Sequence, residues 1–250
     1  MNKKSFFAIA LLLLFVTAPV LAEQAGAPKD AVKTNYSSLS DNEVKERITF
    51  IQTRLEKTEV WAQVWKYGWI GLYSSLAIVQ GGLVFADDDI HWKEDMITGS
   101  ITALVGLAGK LIMPFTFEPT VAPGKLRLMP EATPEERLEK LKTAERLFRI
   151  CAEQEYDGWA WLTHMLNFSV NFTAGMVIWL AFDRPWTDGL TTFATGYAIS
   201  LLDIFTQPTN AVRDRREYLK KFRGLETAEN DEPEFFFALS PMGFSAGIRF

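Results

Sequence analysis

Cysteine and histidine are nearly absent from this chain of 250 residues, which holds one cysteine, Cys151, and two histidines, His91 and His164. A lone thiol cannot close an intrachain disulfide, so stability must come from packing or from lipid. So few such groups leave no visible nucleophile–base arrangement, and no enzymatic activity, cofactor or metal is expected. Positive charge is also scarce: 26 lysines and arginines face 31 aspartates and glutamates, a formal net charge of −5. That balance makes nucleic acid an unlikely target. Mean hydropathy is close to zero, which fits neither a wholly soluble chain nor a dense polytopic transporter.

The apolar content is regional. Lys3 and Lys4 precede an almost unbroken apolar run from Phe6 to Val16, and Val20-Leu21-Ala22 forms a small-residue cleavage motif before Glu23. Residues 1–22 therefore read as a secretory signal peptide, too short to serve as a membrane span. Cys151 is not at the cleavage junction, which excludes a lipoprotein-type anchor there. Removal of the signal takes two lysines and no acids and leaves a net −7. The expected location is the cell envelope after export, associated with the inner or outer membrane on its periplasmic side.

Residues 23–39 lack periodicity and read as a flexible leader. Ser40 and Glu43 then stand in capping-box spacing, followed at helical intervals by Val44, Ile48, Ile51 and Leu55. The same apolar face continues through Trp61, Val64, Trp65, Trp69 and Leu72, and no charge interrupts Trp69 to Ala86. An acidic turn from Asp87 to Asp95 leads to a second apolar stretch, Met96 to Phe115. Four prolines punctuate residues 114–130, predicting a linker over 116–132. Thr133, Pro134 and Glu136 supply an N-cap, a first-turn proline and a capping-box carboxylate for a second amphipathic helix bearing Leu138, Leu141, Leu147 and Phe148. A second apolar pair follows, Trp159 to Phe182 and Leu190 to Phe205.

Ser40 and Thr133, Glu43 and Glu136, Ile48 and Leu141, Leu55 and Phe148, and Asp95 and Asp188 are each separated by 93 positions. The chain thus reads as all-α, a duplicated unit of amphipathic helix plus apolar helical hairpin at 40–115 and 133–208, forming a four-helix membrane-associated bundle. Residues 209–234 read as a basic helix and acidic linker, and 235–250 as a strand-like tail.

Lys110 and Asp203 occupy equivalent repeat positions in apolar helices, and such charges face a bundle interior or snorkel to an interface, so a pair across the pseudo-axis is one expectation. His164, Asn167 and Asn171 make a polar stripe on one helix face, with Ser74, Ser75 and Gln80 as prospective partners. The acidic turn lacks the alternating spacing and glycine of a calcium loop and reads as a solvated helix end. Interspersed glycines and alanines predict close helix approach, and the eight tryptophans fall near the ends of the apolar runs, as interfacial anchors do. In the tail, Met242, Phe244, Ala246, Ile248 and Phe250 alternate with smaller or polar residues and form a candidate partner-binding strand. The segment resembles the terminal strand of outer-membrane barrels, although only over about ten residues.

Orientation is contradictory for four conventional spans. Lysines and arginines would lie outside and the acidic turns in the cytoplasm, against the positive-inside rule. Hairpins that dip into lipid from outside, placement at the outer membrane, or a water-soluble exported bundle each remove the conflict. The expected role is a non-enzymatic scaffold or oligomeric assembly component, with membrane lipid, further copies or an envelope protein as partners. A transport or channel-like bundle using Lys110, Asp203 and the His164 stripe is the alternative, and an envelope- or lipid-acting enzyme the weaker one.

Overall fold

The computed structural model describes residues 36–112 and 118–224, together with the backbone of two C-terminal strands at 234–240 and 243–249. The signal-peptide and most of the leader readings lie outside these residues. The elements in chain order are helix α1 (Asp41–Leu83), α2 (Ile90–Ile112), α3 (Ala122–Arg127), α4 (Pro134–Trp159), α5 (Trp161–Met176), α6 (Trp186–Phe205) and α7 (Asn210–Arg223), then strands β1 (Glu234–Ser240) and β2 (Gly243–Arg249). Apart from that terminal hairpin and short 3₁₀ turns, the described chain is a helical bundle.

Helix α1 begins where Ser40 Oγ accepts the Glu43 amide at 3.2 Å. The reciprocal half of the capping box is missing, because Glu43 turns to Arg47 instead, with its Oε1 2.6 Å from Nη2. At Thr133 both halves form: Oγ1 accepts the Glu136 amide at 3.2 Å and Glu136 Oε2 accepts the Thr133 amide at 3.0 Å. From Asp41 the helix runs without a break for 43 residues, roughly 64 Å at 1.5 Å per residue. The second amphipathic helix does not continue in this way. Ala160 takes an extended backbone (ψ 148°), ending α4, and Thr163 Oγ1 hydrogen-bonds the Asp157 carbonyl across the break at 2.8 Å.

One core joins the first half of α1 to α3, α4 and α7. Val44, Ile48, Ile51, Leu55, Leu141, Leu147 and Phe148 are buried there, with Leu138 packed at its edge. The described part of the proline-rich linker, from Glu118 onward, packs on this core. Pro119, Ala122, Pro123 and Leu126 are buried, and Gln154 Oε1 accepts the Glu118 amide at 2.6 Å. Prolines set the backbone of these short turns without needing partners for amide hydrogens they lack. Helix α7 also belongs to the core: Ala211 and Tyr218 are buried, with Val212, Leu219 and Phe222 against them. Its basic residues thus extend from a helix that is already packed.

The remaining helices form two hairpins, α1 with α2 and α5 with α6. Within the first, Gly106 lies under the Tyr73 ring, Ser100 Oγ donates to the Ala77 carbonyl at 2.9 Å, and Gly99 lies under Gln80. These contacts step in opposite directions along the two helices, so the pair is antiparallel. In the second, Gly175 and Gly189 bring backbones together: a Cβ on Gly175 would lie 2.5 Å from the Gly189 carbonyl oxygen. Among the described residues no helix is long and apolar enough to cross a membrane. The apolar stretches of the sequence fall short because threonines, asparagines, glycines and the charges Lys110 and Asp203 dilute them.

The terminal tail is a two-stranded antiparallel hairpin in which Glu234 pairs with Arg249 and Ser240 with Gly243. Of the expected strand positions, Phe244, Ala246 and Ile248 lie in β2, whereas Met242 and Phe250 fall outside the described residues. β1 lies almost wholly within the stretch 235–250 read as strand-like, but its run of three phenylalanines lacks the alternation of β2, so two paired strands were not expected.

Candidate functional site

The two hairpins meet around a buried charge pair. Lys110, one turn from the end of α2, places Nζ 2.7 Å from Asp203 Oδ1 on α6. Snorkelling is therefore not what satisfies Lys110. Tyr73 on α1 donates its hydroxyl to Asp203 Oδ2 at 3.1 Å, and the Trp65 indole donates to the Asp203 carbonyl at 3.0 Å. The Trp65 ring also stands 4.0 Å from the ammonium, giving the cation an aromatic face opposite its carboxylate. Trp69 extends the joint by donating to Thr206 Oγ1 at 3.1 Å. Helix α1 supplies three of these groups at intervals of four residues, so they share one face. The sequence offered the two charges; it gave no sign that Trp65 and Tyr73 complete their surroundings.

The polar stripe on α5 divides. Asn171 is buried and donates to Ser200 Oγ on α6 at 2.9 Å and to the Asn167 carbonyl at 2.7 Å. It fits because Gly196 lies opposite, where a Cβ would meet Asn171 Oδ1 at 2.2 Å. Asn167 hydrogen-bonds the Thr163 carbonyl one turn back at 2.8 Å. His164 contacts the Phe205 ring, 6.3 Å between centroids, and partial burial pushes its pKa down, favouring neutral imidazole. Ser200 is thus the cross-helix partner of the stripe, in place of Ser74, Ser75 and Gln80.

At the opposite end of the hairpins Arg184 ties the two turns. Its guanidinium reaches Asp188 at 2.7 Å within its own hairpin, and Asp95 at 2.7 Å and the His91 carbonyl at 3.3 Å in the other. The acidic carboxylates are largely committed to caps and pairs: Asp89 Oδ1 accepts the His91 and Trp92 amides at 2.7 and 3.1 Å, and Lys93 reaches Asp88 at 3.1 Å. Among the described residues no group of three or more histidine, cysteine, aspartate or glutamate side chains is placed to hold a metal ion.

The hairpins differ from the core in what they show to their surroundings. Val60, Trp61, Val64, Tyr67, Ile78 and Val79 on α1, Leu104 and Leu111 on α2, Trp161, Met165, Phe172, Trp179 and Leu180 along α5 and the π-helical turn after it, and Trp186, Leu190, Leu202 and Phe205 on α6 are all exposed. Their interior faces instead carry Thr98, Asn171, Ser200 and Asp203, all buried. These polar groups are buried beside small and apolar residues such as Ala103, Ala174, Ile178 and Ile204, so the hairpins differ from the α1–α4–α7 core mainly in the many large apolar side chains they leave exposed. No protein-family profile, curated protein or solved structure matches the chain.

Proposed function

We propose that this chain is an exported cell-envelope scaffold whose two hairpins bury their outer faces in a lipid surface while the helical core stands clear to meet partners. The single observation that carries the reading is the outward concentration of large apolar side chains on α2, α5, α6 and the second half of α1. Monomeric soluble proteins rarely leave contiguous apolar surface of this kind uncovered. Mean hydropathy along one helix counts inward and outward residues alike, so polar groups paired inside the bundle lower it without touching lipid. Hairpins entering from the periplasmic side also require no basic segment to be misplaced.

Two further features support an assembly role. Lys110 with Asp203, and Asp95 with Asp188 through Arg184, join corresponding positions of the two sequence repeats, as expected for duplicated hairpins packed about a pseudo-axis. Among the described residues β1 and β2 pair only with each other, so their outer edges could add to another sheet or another copy. Vesicle flotation of the chain without its first 22 residues tests the reading: it rises with neutral and anionic phospholipid vesicles and resists alkaline extraction. A chain that stays at the bottom of the gradient, monodisperse without detergent, overturns it.

A further inference from the structure

Glu155 is the most deeply buried acid described, with none of its surface accessible. It belongs to α4, yet its Oε2 accepts the amides of Ala211 at 2.6 Å and Val212 at 3.4 Å, the first residues of α7 after Asn210. Those amides have no carbonyl partner within their own helix. A side chain from another helix therefore supplies the cap that α7 lacks, since Thr209 makes no side-chain capping bond. The other oxygen, Oε1, is buried with no hydrogen-bond partner among the described residues. Gln207 closes the joint from the α6–α7 connection, donating to the Glu155 carbonyl at 3.3 Å while its side chain lies against Gly158.

We propose that Glu155 is a protonation-controlled clasp that holds the first turn of α7 on the core when neutral and loosens it when ionised. A neutral acid still offers an acceptor oxygen to the Ala211 amide, and its unpaired hydroxyl costs far less in a dry interior than an unpaired half of a carboxylate. The neighbouring groups favour that state. On its own helix is Cys151, one turn earlier, a neutral thiol, and Asp214 on α7 repels a second negative charge. Arg213 offers partial compensation, but it is shared with Asp214, which Arg54 also engages, while Lys125 pairs with Glu118 at 2.5 Å nearer Cys151. Burial outweighs the two amide bonds and raises the Glu155 pKa from its ordinary 4.5 to about 7.

The sign follows from proton binding. Between these two values the docked state holds a proton that the opened, solvated state has released, so docking weakens as pH rises and levels off above about 7. Site-resolved amide exchange at Ala211 and Val212, corrected for intrinsic rates, reads the clasp directly. Protection is expected to fall by up to tenfold per pH unit, about 40-fold between pH 5 and 7 and approaching 300-fold over the whole span from below pH 4.5 to above pH 7. Glu155→Gln, which keeps the acceptor oxygen, should hold protection constant over the range, whereas Asp214→Asn should leave the slope in place. Flat protection in the unsubstituted chain, an unchanged slope in Glu155→Gln, or loss of the slope in Asp214→Asn overturns the proposal. None of these outcomes depends on lipid binding.

Discussion

At the scale of single residues, the chain commits its few unusual groups to interior positions and surrounds each with partners from distant segments. Lys110 and Asp203 illustrate the energetics: removing one member of a buried pair leaves an uncompensated charge, at a cost of about 3–5 kcal/mol. Lys110→Ala and Asp203→Ala are each expected to destabilise the fold by about that much, and the double substitution by little more than either alone. Chemical unfolding of the three variants measures the coupling; strict additivity would show that the pair does not interact. Cys151 gives a simpler test. It is buried and its thiol pKa is well above the ordinary range, chiefly through desolvation, so thiol reagents should label it only on unfolding. What the sequence could reveal here was limited to the charges themselves, because an aspartate within an apolar run is conspicuous. Trp65 and Tyr73 were not conspicuous, being two more aromatics on a helix rich in them, and only the crossing of α1 with α6 shows that their donors converge on Asp203.

At the scale of elements, local signals did well where local physics decides. The caps at Ser40 and Thr133, and the buried stripe from Val44 to Leu55, follow from hydrogen-bond stereochemistry and helical period. They were silent where tertiary packing decides. Prolines marked a linker over residues 116–132 without showing that Pro119 and Pro123 are buried, and the basic residues after Pro208 marked a helix without showing that it packs through Tyr218. The glycines sort by their neighbours. Gly175→Ala drives a Cβ to within 2.5 Å of the Gly189 backbone, so α5 and α6 must separate, with an expected loss of about 1–3 kcal/mol. Gly71 lies inside α1 with nothing within 4 Å of its would-be Cβ, and Gly71→Ala should stabilise by about 0.5–1 kcal/mol. Thermal melts of the two variants should therefore move in opposite directions. A shared direction would mean that α5 and α6 are not in close contact there.

At the scale of the whole molecule, two packing regimes share one chain, a core that hides its apolar groups and hairpins that display them. The proposed lipid attachment depends on the second. Replacing Met165, Phe172 and Leu180 together with serine leaves the Asn171–Ser200 bond untouched, because all three side chains are exposed or border the outer surface. The triple variant is expected to retain its helical circular dichroism and lose at least tenfold in vesicle partitioning. Equal partitioning would assign those residues to some other cover. The sequence marked out these apolar runs but not their orientation, since hydropathy does not distinguish an inward threonine from an outward one.

The unbroken course of α1 sets it apart from the α4–α5 connection in mechanical terms. The first hairpin is attached to the core by a rod and the second by a joint at Ala160. Rotation of the core about the α1 axis is transmitted to Tyr73 in full, whereas the same rotation at α4 can be absorbed before it reaches Asn171. The rod also fixes phase. One residue inserted near Gln63 would turn the α1 hairpin by about 100° relative to the core and carry Tyr73 away from Asp203, while seven inserted residues would restore its bearing to within about 20° and lift it by about 10 Å. The angular position of the first hairpin is thus set by a count of residues along a single helix.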